Sequence, residues 1–146
     1  MNTSPSKRSG EYFSSGYYCA ESVLLAISEA NGIKSEIIPK IATGMCAGLA
    51  RTCGLCGAVS GALMSINLVY GRSLPGESVE ENFKKVQEFL NRFEKEFGST
   101  NCKELTGCDL GTDEGQEYFE ANNIRNHCQK YTENAAVIAL SIINED

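Results

Sequence analysis

Cys53-Gly54-Leu55-Cys56 is a CxxC pair, a spacing at which one thiol can resolve a bond made by the other, or both can ligate a metal. The pair falls where a helix is expected to open, with Thr52 as cap and Arg51 just outside. Unpaired backbone N–H groups and the positive end of the helix dipole favour thiolate there. Two small apolar residues at a crowded helix start fit the same pattern. Cys19, Cys46, Cys102, Cys108 and Cys128 bring the total to seven, an odd number that one chain cannot fully pair. In a reducing compartment such thiols are more often metal ligands or redox groups than staples.

No second CxxC follows, because Cys102 and Cys108 are six apart and the others are solitary. A zinc ribbon, which draws its ligands from two close pairs, is therefore disfavoured. An iron–sulfur cluster or an exchanging set of thiols can be assembled from distant helices, and spacing does not separate the two. His127 is the single histidine, and as the neighbour of Cys128 on a helix it faces another way, so it is left out of the site. The carboxylates Glu77, Glu80, Glu81, Glu114, Glu117 and Glu120 fall in helix first turns or on polar faces. No phosphate-binding glycine loop, dinucleotide fingerprint or supported Cys–His hydrolase pattern is present.

Helices must position these thiols. About Ser15 to Asn31, apolar residues recur at Cys19, Val23, Ile27 and Ala30, which predicts a helix with Cys19 on its buried face. Ser35 opens an expected short helix running to Thr43, and a turn spans Gly44 to Gly48. The third helix opens near Thr52, and its Gly57 and Gly61, beside Ala58 and Ala62, leave one face almost bare for a neighbour. Ser78-Val79-Glu80-Glu81 reads as a capping box before Val79, Phe83, Val86, Leu90, Phe93 and Phe97, a strongly amphipathic helix stopped by Gly98. Ser99 to Leu110 is expected as an irregular or one-turn segment, and Thr112 to Asp146 as mostly helical with a break near Asn122-Asn123. No period-two alternation points to a sheet. The expected fold is all-α, a compact bundle of about five helices around a central glycine-rich apolar helix.

The 146 residues suit a single cysteine-rich domain, 1–146, with 1–14 as a polar N-terminal arm. A net charge of -6 repels phosphate backbones and anionic membranes, so nucleic acid and membrane are not expected partners. Met1 to Tyr18 has Lys7 and Arg8 but no apolar run behind them, which argues against a secretory signal and for the cytoplasm. Cys53 to Tyr70 runs eighteen residues without a charge. Gly54, Gly57, Ser60, Gly61, Ser65 and Asn67 make it too polar for a membrane span.

The cysteine segments resemble the C-GCAxxG-C-C family of redox-active proteins. Cys56-Gly57-Ala58-Val59-Ser60-Gly61 fits the CGAxxG signature, Cys19-Ala20-Glu21-Ser22-Val23 is similar to the first cysteine segment, Asn101-Cys102-Lys103-Glu104-Leu105-Thr106-Gly107 to the third, and Cys128 takes the fourth place. The resemblance spans nearly the whole chain and implies a helical redox protein. It implies further that Cys19, Cys56, Cys102 and Cys128 converge on a metal centre, expected as [2Fe-2S], for electron transfer or redox sensing. Cys46, Cys53 and Cys108 are additions to that pattern. Two alternatives stand beside it. In one, a metal-free thiol–disulfide protein uses Cys56 as reactive thiol, with Cys53 or a distant cysteine resolving it; in the other, the cysteines are core residues of a non-catalytic helical interaction module. A redox partner protein is expected in the first two, and a homodimer and an oxidoreductase activity are left open.

Overall fold

The computed structural model describes residues 4–145. Residues 1–3 of the expected arm and Asp146 at the end of the expected C-terminal helix lie outside the described residues. The chain forms α1 (Pro5–Ser14), α2 (Cys19–Ala30), a 3-10 turn (Lys40–Met45), α3 (Cys46–Arg51), α4 (Gly57–Tyr70), α5 (Glu80–Phe97), α6 (Cys102–Thr106), α7 (Asp113–Ala121) and α8 (Arg125–Ile143). Between the helices, an isolated antiparallel bridge, the one such pairing among the described residues, joins Leu55 to Asn101.

Local chemistry sets these boundaries. The Ser4 hydroxyl accepts from the Lys7 N–H at 3.2 Å and Pro5 opens α1, where its fixed φ suits the first helical position and no N–H is lost. The Asn101 side chain accepts from Glu104 N–H at 3.1 Å to start α6, and Thr112 accepts from Gly115 N–H at 2.9 Å to start α7. The break expected near Asn122-Asn123 separates α7 from α8, with Asn123 at φ 52°. The stretch read as a polar arm folds, from Pro5 onward, into α1, which buries Phe13 against α8 and α2.

Two features of the expected architecture are corrected. Among the described residues there are eight α-helical segments, not about five, because side-chain caps at Ser4, Asn101 and Thr112 start the short α1, α6 and α7, which hold few apolar residues. Nor is there one apolar hub. α4 carries Ser60, Ser65 and Asn67, and Leu68 and Val69 near its end are about two-fifths exposed. The core is instead shared: Val23 and Ile27 of α2, Val59 and Ile66 of α4, Phe89 and Phe93 of α5 and Ala135, Ala139 and Ile142 of α8 form one buried cluster. Each of its large side chains contributes roughly 1.5–3 kcal/mol by leaving water. Among the described residues no helix is long and apolar enough to cross a membrane.

The segment expected as a helix from Ser35 to Thr43 is turns followed by the 3-10 turn. α3 is left-handed inside, with Ala47, Gly48, Leu49 and Ala50 at φ of 55° to 65° and Arg51 at 67°. Each non-glycine residue there costs about 1–2 kcal/mol. Thr52 offsets part of that by donating its hydroxyl to Leu49 O at 2.7 Å, and Gly54 N–H closes onto Gly48 O at 2.8 Å. This turn puts Cys46 against α2.

α2 and α4 cross with backbone nearly in contact. A Cβ on Gly61 would lie 2.5 Å from Ala20 O and 2.9 Å from Ala20 Cα, atoms that cannot swing aside. Gly61→Ala should therefore destabilise the fold by about 1–3 kcal/mol, a fall in Tm of roughly 3–10 °C. Gly76→Ala, where a Cβ meets nothing within 4 Å, should leave Tm within about a degree. Equal Tm values for the two variants would contradict the close crossing.

Candidate functional site: a thiol-lined cavity

Cys19 is the first residue of α2, after Tyr18 in extended conformation. Glu21 anchors that start on both sides, one carboxylate oxygen accepting the Tyr18 N–H at 3.0 Å and the other the Thr43 hydroxyl at 2.8 Å. The second bond draws the 3-10 turn toward α2 and delivers Cys46 beside Cys19. Gly57, at the first turn of α4, has no side chain because the Cys19 sulfur occupies its place, with Cys46 Cα 3.1 Å from where a Cβ would stand.

The Leu55–Asn101 bridge brings in two more sulfurs. Cys56 N–H donates to Thr100 O at 2.8 Å and Cys102 N–H to Gly54 O at 2.9 Å, so the cap of α4 and the start of α6 lie side by side. Cys128, in the first turn of α8, completes the set. Cys19, Cys46, Cys56, Cys102 and Cys128 all line one cavity of about 430 Å³ with largely apolar walls that include Phe13, Leu105, Phe119 and Tyr131.

The CxxC pair is divided. Cys53, at φ 60°, has its carbonyl held by the Asn101 side-chain N–H at 2.8 Å, and its thiol donates to the Asp109 carboxylate, which raises the thiol pKa. Cys53 and the buried Cys108 are not among the cavity residues, and neither is the exposed His127.

The five cavity thiols are unequal. Cys19 is held down to about 7, first by the Cys46 thiol that donates to it, then, against the cost of burial, by the backbone N–H groups of Ala47, Ala20 and Cys19 itself. Cys46 is pushed well up by the same hydrogen bond and by burial. Burial first, and then the neighbouring charge of Cys19, push Cys56 up to about 12 and Cys102 up to about 11. Cys128 is raised for the same two reasons. Of these five thiols, Cys19 is the one shifted below its ordinary value.

This overturns the expected metal centre. Among the described residues no three Cys, His, Asp or Glu side chains form a group that could hold a metal ion. Sulfurs spread around a cavity do not meet at one point, as the ligands of a [2Fe-2S] cluster must. Cys19, Cys56, Cys102 and Cys128 share the cavity without forming a ligand set, and the electron-transfer reading built on one falls with it. Cys56, expected as the reactive thiol, caps α4 as its N-terminal residue, and there burial and the charge on Cys19 raise its pKa despite the helix start. All seven cysteines are free thiols, so no disulfide is formed.

Reasoning from sequence missed Cys46 and the thiolate of Cys19. The available signal was Glu21, two residues beyond Cys19, where an acidic residue completes a helix start. It places the opening of α2 at Cys19 and not near Ser15.

An all-α chain that collects thiols around a cavity and charges one of them has the make-up of a cysteine-centred redox protein. Residues 17–142 match the family model described as "Putative redox-active protein (C_GCAxxG_C_C)", and the chain belongs to that family. No curated protein and no solved structure is significantly similar to the chain.

The charge on Cys19 is linked to folding. Its pKa is near 7 folded and about 8.5 unfolded, so its contribution is absent below pH 7, grows between pH 7 and about 8.5, and is complete above that, reaching up to about 2 kcal/mol. Raised thiols act oppositely: the contribution of Cys102 is complete below about pH 8.5 and is lost as pH climbs to about 11. In reductant, the stability of wild type relative to Cys19→Ser should rise from pH 6.5 to 8.5. A difference flat across that window would contradict the depressed pKa.

Proposed function

We propose that the chain is a thiol redox protein whose reactive sulfur is Cys19, acting as a nucleophile at the wall of the cavity. The observation that carries this reading is the meeting at one sulfur of the Cys46 thiol and the N–H groups of Ala47, Ala20 and Cys19. Hydrogen bonds to the charged form favour it, which is the condition for a thiolate near neutral pH. Cys46 serves as a positioning residue: its single S–H is shared between the Cys19 sulfur and Ala42 O, which accepts it at 3.6 Å. Membership of the redox-active family supports the class of chemistry.

A partner protein that supplies or removes electrons belongs to this reading. The exposed Ile37, Ile41, Met45 and Leu49 flank Cys46 on its own segment and support an approach from that side. Seven free thiols suit a reducing compartment, and the cytoplasm is proposed on that ground.

The groups facing Cys19 are the thiols of Cys46, Cys56, Cys102 and Cys128, with Arg51, Arg125 and Glu120 also lining the cavity. Limiting iodoacetamide followed by peptide mapping tests the proposal. Cys19 should be alkylated first, with a rate half-maximal near pH 7. Cys46→Ala should move that midpoint toward the ordinary thiol range and slow the reaction at pH 7 by roughly five- to fifteen-fold, while Cys46→Ser, which keeps a donor, should recover part of the loss. Alkylation that begins at Cys56, or a midpoint that ignores Cys46, would sink the assignment.

A further inference from the structure

Charge is distributed unevenly around this cavity. The chain carries -6 overall, yet two guanidinium groups, Arg51 at the end of α3 and Arg125 at the start of α8, line the cavity with one carboxylate, Glu120. Both arginines are exposed. Among the described residues the ion pairs are those of Arg8 with Glu11 and Glu29 and of Arg92 with Glu88 and Glu145, so neither cavity arginine is neutralised by a carboxylate.

Arg125 is also held in place. Its guanidinium carbon stands 4.3 Å from the centre of the Phe13 ring, and one N–H donates to Phe13 O at 2.9 Å. A guanidinium has five donors in a planar fork, so most of those on Arg125 remain for a ligand. The left-handed turn of α3 brings Arg51 to the same cavity. Planar, bidentate recognition of a carboxylate is what such groups do best.

Size and chemistry narrow the ligand further. A cavity of about 430 Å³ is in the range that encloses an organic molecule of metabolite size, well beyond a peroxide. Its walls are mostly apolar, which suits a carbon–sulfur body between charged ends. Disulfide exchange runs best when the attacking thiol titrates near ambient pH.

Resting on Cys19 as the nucleophile, we propose that the cavity takes a small organic disulfide bearing carboxylates, with Arg51 and Arg125 binding the carboxylates and Cys19 attacking the disulfide. The Cys19 thiolate forms a bond to one disulfide sulfur as the bond between the two substrate sulfurs breaks. The leaving sulfur takes the bonding pair, is reduced to a thiolate and picks up a proton from water. Cys19 is oxidised to a mixed disulfide with the retained half, so one thiolate and one disulfide give one mixed disulfide and one thiolate, which water protonates to the thiol.

The test compares three disulfides on the full chain at low ionic strength: 3,3′-dithiodipropionate, a dianion; bis(2-hydroxyethyl) disulfide, neutral; and cystamine, a dication. Mixed-disulfide formation is followed by intact mass and mapped to its peptide. The expected order is anionic, then neutral, then cationic, with the anion roughly ten-fold faster than the neutral compound, as two exposed charge pairs allow. The preference should shrink at high salt. In Arg51→Gln, and more so in Arg51→Gln with Arg125→Gln, the ratio of anionic to neutral rates should fall toward one.

Iodoacetamide on the same wild-type sample keeps the two claims apart. Fast alkylation of Cys19 near pH 7 with equal rates for all three disulfides would overturn the anion selection and leave the nucleophile standing. A Cys19 that neither alkylates near neutral pH nor forms any mixed disulfide would overturn both.

Discussion

The Cys19 sulfur rests where a side chain of Gly57 would be, and most of the site follows from that contact. It requires α2 to meet α4 at the very first turn of each, which only a glycine on α4 permits. Gly61, one turn on, keeps the two backbones together over Ala20. With the crossing set, Cys56 at the cap of α4 is carried next to Cys19, and the Leu55–Asn101 bridge carries Cys102 next to Cys56. The two glycines of the CGAxxG signature are thus steric conditions for gathering thiols, since any larger residue would push the sulfur-bearing helix away.

Charge then sorts the gathered thiols. Close sulfurs in a poorly solvated cavity cannot all ionise, because each thiolate raises the cost of the next. Cys19 takes the charge because it alone has the Cys46 donor together with several backbone N–H groups, and every other cavity thiol is pushed up partly by the charge Cys19 carries. Cys46 can play this part because the left-handed α3 turns the chain back at that residue, at a conformational cost that falls on Ala47, Leu49, Ala50 and Arg51. Backbone strain of this kind persists where surrounding structure over-determines it and is concentrated at functional sites.

Several parts of this arrangement were legible in the residues. The repeat from Phe83 to Phe97 and the stop at Gly98, where φ is 85°, mark α5 because a long amphipathic stripe and a left-handed cap are both local signals. The break at Asn122-Asn123 is local in the same way, and the four cysteine segments are ordered as in the family. What stayed hidden depends on non-local geometry. Gly44 to Gly48 reads as a turn, but nothing in Leu49-Ala50-Arg51 announces the left-handed backbone that continues through them. The opening of α4 slipped from Thr52 to Gly57 because Cys53 to Leu55 are taken up by the bridge to Asn101. The metal centre was inferred from cysteine order, and order says nothing of whether sulfurs meet at a point or ring a cavity.

The central claim, that the cavity holds its charge on Cys19, is tested most directly by titrating each cysteine separately. With ¹³Cβ-cysteine incorporated and the seven resonances assigned by single Cys→Ser variants, NMR spectra in reductant across pH 5.5 to 10 resolve every thiol. One resonance, that of Cys19, should titrate with a midpoint near 7, and Cys46, Cys56, Cys102 and Cys128 should stay protonated through pH 9. A Cys19 resonance that does not move below pH 8, or a Cys56 resonance that moves first, would contradict the account.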